Sequence, residues 1–180
     1  AGHQAILDGG GALENAFALG AQGVTLDGFE IRNYTGDGVT SAQEVQSLDA
    51  SLQNLFIHDT RRGIARVEGV VEHSRISQTA KAGVEDSAHL DLTRVEIVQN
   101  IGAGVNLVNG TFTNCTIADN AVGLEQSSGT VTNSIIWKNA GGDFELLKGL
   151  TISFSIFDLL DHGDPGLVID AGHNTNDGVK

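Results

Sequence analysis

Glu85 and Glu125 each stand two residues after a glycine, Gly83 and Gly123, in a chain that repeats itself. Two places on from each such glycine come Thr40, Ala65, Glu85, Asn106, Glu125 and Phe144. If the repeats stack one per rung, the two acids lie two rungs apart, ~10 Å between backbones. Carboxyl pairs ~6.5–9.5 Å apart suit inverting glycoside hydrolysis, one acting as general acid and the other as general base. Side-chain reach closes the difference. Asp86 lies beside the first acid, and Asn106 falls between the two as a substrate-binding candidate. The same acids also read as solvated side chains, since an acidic chain must place its acids somewhere.

A second group is basic. Arg61, Arg62, Arg66 and Lys81 fall in two adjacent repeats of a chain with only ten Lys and Arg, with His58, Asp59 and His73 nearby. A lyase or epimerase acting on uronic acids needs cations to neutralise the sugar carboxylate and a base to take a proton. Ladder salt bridges to Glu68, Glu72, Asp86 and Glu96 explain the same cations without a substrate. Trp137 follows an inward Ile136 and points outward, where an indole can stack on a sugar or cover a turn. The tail carries Asp158, Asp161 and Asp164, oxygen ligands of the kind calcium takes, but not at EF-hand spacing. No Cys/His spacing suggests zinc, and no nucleophile elbow or phosphate loop is present. Cys115 is alone and takes a repeat position otherwise held by Val95 and Ser134, so a buried thiol is expected.

Charge narrows the partners. Asp and Glu number 23 against 10 Lys and Arg, a net charge of −13. That argues against nucleic acid and against anionic membranes. There is no transmembrane run. The absence of methionine makes the chain read as a mature fragment or an excised domain. A soluble extracellular protein fits this composition.

The elements that position these residues repeat. Leu92, Val95, Ile97 and Asn100 recur as Phe112, Cys115, Ile117 and Asn120, then as Val131, Ser134, Ile136 and Asn139. The anchor runs Ile31, Ile57, Ile76, Ile97, Ile117, Ile136 and Phe157, in steps of 26, 19, 21, 20, 19 and 21 residues. The first step is long because residues 40–47 read as an inserted loop. Within one repeat, from Gly129, Val131 sits in a first short strand. Asn133 breaks the parity, Ser134 and Ile136 resume it, and Phe144 and Leu146 give a third strand. Asn54, Asn114 and Asn133 suit the left-handed backbone of a sharp bend. Stacked rungs would pile Leu26, Leu52, Val71, Leu92, Phe112, Val131 and Ile152 into one inner column, with Phe29, Leu55 and Val95 beside it. Asn100, Asn120 and Asn139 would form an amide ladder. About seven rungs result, over residues 1–157. Residues 158–180, rich in Asp, Asn and Gly, form a cap or the start of a further rung.

This rung pattern resembles the right-handed parallel β-helix repeat of the pectate-lyase-like superfamily. Gln4 to Gly11 (QAILDGGG) is similar to the first rung of many secreted bacterial members. Asn133 to Asn139 (NSIIWKN), with Asp164-Pro165 after it, is similar to their last rungs. The resemblance implies an all-β solenoid, an extracellular or cell-surface location, and a polysaccharide lyase, epimerase, hydrolase or an adhesin. It matches no catalytic motif, and the capping helix of the family is not evident. A leucine-rich solenoid is the competing fold, although the rung is Leu-poor. A non-catalytic stalk is the competing role. Uncovered rung edges at the ends make end-to-end self-association an expectation.

Overall fold

Every regular element is a β-strand in the computed structural model, described for residues 5–42, 49–158 and 166–176. All the pairings are parallel, and they join residues about twenty apart. The chain is therefore a parallel β-helix, and no leucine-rich helix faces the strands among the described residues. Three strands make each rung, and seven complete rungs follow one another.

The first sheet has nine strands: Ala5–Asp8, Phe29–Arg32, Phe56–His58, Arg75–Ser77, Glu96–Val98, Thr116–Ala118, Ile135–Trp137, Ile156–Phe157 and Thr175–Asn176. The second runs from Phe17–Leu19 through Asp37–Ser41, Arg62–Ala65, Val84–Ser87, the start of Ala103–Thr113, and Val122–Glu125 to Phe144–Glu145. The third runs from Thr25–Asp27 through Ala50–Gln53, Gly69–Glu72, Leu90–Thr93, the end of Ala103–Thr113, and Ser128–Thr132 to Leu147–Ser153 and Gly166–Asp170. Strand Ala103–Thr113 belongs to both of the last two sheets.

Alternation along each short strand turns one residue inward, and stacking puts like on like. Ile31, Ile57, Ile76, Ile97, Ile117 and Ile136 pair in unbroken register and are fully buried. Leu26, Leu52, Val71, Leu92, Phe112, Val131 and Ile152 form a second such column. Each of these side chains contributes ~1.5–3 kcal/mol on burial, so the two columns dominate the stability. Phe29 is only half-buried and meets the edge of Phe17 at the N-terminal end. Cys115 is buried, and burial pushes its thiol up to about 11.

Sharp corners separate the sheets, and each corner spends one residue in the left-handed region. At the corner after the third sheet this residue is Asn54, His73, Arg94, Asn114, Asn133 or Phe154, with φ of 50–57°. After the second sheet it is Arg66, Asp86, Leu107, Gln126 or Leu146. Leu146 was expected in a strand. It is instead an exposed corner residue with φ of 51°.

The asparagine ladder runs inside the corner after the first sheet. Asn120 Oδ1 accepts from the backbone N–H and the side-chain amide of Asn100, at 3.0 and 2.9 Å. Asn139 Oδ1 accepts in the same way from Asn120, at 3.0 Å each. Thr79 tops the stack and Asp143 ends it, taking the Asn139 amide at 2.8 Å. A glycine column packs against this ladder because nothing larger fits. A Cβ on Gly104 would stand 2.6 Å from Ile117 Cγ2 and 2.9 Å from Asn120 Nδ2. The inserted loop expected over 40–47 lies largely outside the described residues, while Thr40 and Ser41 close strand Asp37–Ser41.

Candidate functional site

The second sheet carries the acids. Its register sets Thr40, Ala65, Glu85, Asn106, Glu125 and Glu145 one above another. The expected pair Glu85 and Glu125 therefore stands two rungs apart with Asn106 between. The last member of the column is Glu145. Phe144 pairs with Leu124 and is buried. Counting from Gly142 slipped by one, because the residue level with Gly123 is Asp143. Asp86 is not part of this column. It occupies the left-handed corner beside it and is exposed.

The column divides into two electrostatic halves. In the first, Arg62 bridges three rungs. Its Nε and Nη2 donate to the two oxygens of Asp37 at 2.7 and 2.8 Å, and its Nη1 donates to Glu85 Oε2 at 2.9 Å. Asp37 is buried, and its hydrogen bonds, with those of Glu85, hold the guanidinium charged. Arg66 leans over the same place and donates to Thr40 Oγ1 at 3.0 Å. Arg62 was expected to face a substrate or to pair with Glu68, Glu72, Asp86 or Glu96. Its partners are Asp37 and Glu85, which take three of its five N–H donors.

Among the described residues, no ion pair ties a cation to the second half. Glu125 and Glu145 pair on adjacent rungs, ~4.8 Å apart at the backbone. Partial burial raises the pKa of Glu125, and the neighbouring charge of Glu145 raises it further. Asn106, one rung up, holds the only buried side-chain oxygen without a hydrogen-bond partner among the described residues, its Oδ1. A carboxyl whose pKa is raised, a second carboxyl and a carboxamide are thus within one short stretch of sheet. That set can donate a proton to a leaving oxygen, stabilise positive charge and bind a hydroxyl.

The other sequence candidates lie elsewhere. Arg61 lines a groove of about 580 Å³ with Tyr34, Asp59, Gln78 and Ile101, at the corner after the first sheet. Lys81 is exposed near that corner. Trp137 is half-buried on the outer side of the first sheet, beside Lys138, Asp143 and Asp158. Another groove, about 560 Å³, lies where the chain enters the third sheet, between Asp49, Glu68, His89 and Asp91. Asp158 gives its backbone N–H to Asp143 Oδ2 at 2.8 Å. Asp161 and Asp164 lie outside the described residues. No three His, Cys, Asp or Glu side chains converge as a ligand set among the described residues.

A parallel β-helix bearing an acidic column on one sheet is the class these observations define. The sequence matches no protein-family model and no curated protein. Among solved structures, the chain is similar to pectate lyase Pel9A at 13% identity and a TM-score of 0.49. That alignment covers 85% of this chain and 54% of the other, so the chain spans about half of that protein's length. A likeness at this level assigns no residue. No helix among the described residues is long and apolar enough to cross a membrane.

Proposed function

We propose that the chain recognises and hydrolyses a neutral polysaccharide outside the cell, using the outer column of the second sheet. The observation that carries this reading is the Glu125–Glu145 pair. Glu85 is committed to Arg62, which leaves Glu145 as the carboxylate beside the protonatable Glu125. Carboxyls on neighbouring rungs approach the ~5–5.5 Å separation of retaining glycosidases, rather than the wider separation the Glu85–Glu125 pair suggested. Glu125 would protonate the leaving oxygen, Glu145 would attack or stabilise the sugar cation, and Asn106 would hold a hydroxyl.

Charge favours a neutral chain over a uronate. Arg62 and Arg66, the cations beside the column, are tied to Asp37, Thr40 and Glu85. A uronate would meet three glutamates, with Arg62 held by Asp37 and Glu85 and only the part-exposed Arg66 beside them. Reducing-end release should therefore appear with neutral glycans and not with pectate or alginate. Glu125→Gln and Glu145→Gln should each lower it about 10²–10⁴-fold with an unchanged circular dichroism spectrum. Binding without turnover leaves a recognition module. Neither binding nor turnover across neutral glycans leaves the solenoid as a structural stalk, and the proposal fails.

A further inference from the structure

The corner between the first and second sheets holds two cations that the acids of the chain leave unpaired. Arg61 and Lys81 follow one another on adjacent rungs. The N–H of Arg61 donates to the Gly36 carbonyl at 2.8 Å, that of Lys81 to the Arg61 carbonyl at 2.7 Å, and that of Gly102 to the Lys81 carbonyl at 3.1 Å. The two backbones are therefore ~4.8 Å apart, with a glycine on the rung to either side. Both side chains are exposed. Neither makes an ion pair or a side-chain hydrogen bond with a described residue.

Like charges side by side on neighbouring strands repel. In a chain with 23 Asp and Glu against 10 Lys and Arg, an acid in place of Gly36 or Gly102 would relieve that repulsion, and neither rung supplies one. Asp59 is the acid of the adjoining groove, and its Oδ2 lies 2.7 Å from His58 Nδ1 instead. That groove, of about 580 Å³, runs from Arg61 to Tyr34, Gln78 and Ile101. The Gln78 carboxamide and the Tyr34 hydroxyl have no hydrogen-bond partner among the described residues, and Ile101 is 75% exposed. The segments packed around the corner, residues 9–15, 33–37, 59–63, 78–82 and 99–103, are all described.

We propose that this corner binds the phosphate monoester of a sugar. Two adjacent cations call for a ligand group of matching charge. A phosphate monoester carries about −1.5 to −2 at neutral pH, whereas a carboxylate carries a single charge. The guanidinium fork of Arg61 takes two phosphate oxygens, and Lys81 serves a third as a point charge. The sugar then lies against Tyr34 and Ile101, with Gln78 as a hydroxyl partner. The site does not rest on Glu125 and Glu145, which stand on the outer column of the second sheet, so either reading can fail without the other.

Amide chemical shifts of the intact chain test this, at neutral pH and constant ionic strength. The probes are inorganic phosphate, a hexose phosphate, the same hexose unphosphorylated, and glucuronate. The expected result is saturable shifts confined to the corner, with the hexose phosphate bound most tightly and glucuronate at least about tenfold more weakly. Arg61→Ala and Lys81→Ala should each weaken the hexose phosphate at least about tenfold, with an unchanged melting curve. Arg75→Ala, which removes an exposed cation elsewhere, should not. A phosphorylated oligosaccharide that binds more tightly still marks a glycan-borne ester, and equal binding marks a free sugar phosphate; both support the site. Shifts that never saturate overturn the proposal. So does glucuronate or inorganic phosphate bound as tightly as the hexose phosphate, or an affinity untouched by both substitutions.

Discussion

Glu125 shows how a single side chain combines cost and use. Burial and the charge of Glu145 disfavour its ionised form in the folded chain, while unfolding returns it to ordinary carboxylate behaviour. A carboxyl whose folded pKa lies above its unfolded one binds more protons when folded. Its contribution to stability is thus greatest at low pH and falls as pH rises from the ordinary value through the raised one. Glu125→Gln should accordingly be more stable than the wild type at neutral pH, with the gap closing as pH drops below the ordinary glutamate range. Urea unfolding at a series of pH values checks this, and a gap that widens on acidification would contradict it. Gain of stability with loss of activity is the usual mark of a site strained for function. Asp8 behaves oppositely. Asn33, the Gly10 N–H and Arg32 pull its pKa down to about 2, so its contribution holds at neutral pH and fades only in strong acid. Sequence spacing alone showed Glu125 and Asn106 to be level with each other. It did not show Glu145, because Asp143 replaces the glycine that marks this position in other rungs. The apolar match of Phe144 with Leu124 was the signal available. Nor did spacing show that Arg62 is spoken for, since Asp37 lies 25 residues away, across the rung with the long connection.

Ladders of like side chains are the recurring element, and they were the most legible part of the sequence. Identical offsets for Ile97, Ile117 and Ile136, and for Asn100, Asn120 and Asn139, sufficed to predict stacking, because no rung can bury its inner face alone. Corners were half legible. Asparagine marked Asn54, Asn114 and Asn133, but Arg94, Leu107 and Leu146 adopt the same left-handed bend with no composition to announce it. Tertiary pairing on both sides imposes a conformation that costs such residues roughly 1–2 kcal/mol. The asparagine ladder also has energetic content. Asn120 Oδ1 satisfies two donors of Asn100, and its amide supplies the Ile97 carbonyl and Asn139. Asn120→Ala leaves those groups buried and unpaired, each costing ~1–3 kcal/mol. A loss of about 3–5 kcal/mol in chemical denaturation is expected, against under about 1 kcal/mol for Asn133→Ala at an exposed corner, beyond its backbone strain. Equal effects at both positions would mean the ladder is incidental.

At the scale of the whole molecule, two electrostatic effects compete. The ion pairs Arg62–Asp37, Arg62–Glu85, Arg32–Asp8 and Arg75–Glu96 favour the folded chain and are weakened by salt. The net charge of −13 opposes the folded chain and is also weakened by salt. Burial decides between them. The tightest pairs centre on Asp37, whose side chain is only 3% exposed, and buried pairs are screened far less than surface charge. Arg75–Glu96 is half exposed, and such pairs contribute about 0–1 kcal/mol in any case. The repulsion is spread over a rod roughly 30–35 Å long, so many of its terms exceed a Debye length of ~8–10 Å and vanish at moderate salt. Sodium chloride should therefore raise the thermal midpoint by a few degrees between low and moderate ionic strength, and Arg75→Ala should leave that slope unchanged. A midpoint that falls with salt would show that the surface ladders, rather than the hydrophobic columns and Asp37–Arg62, hold the rungs in register.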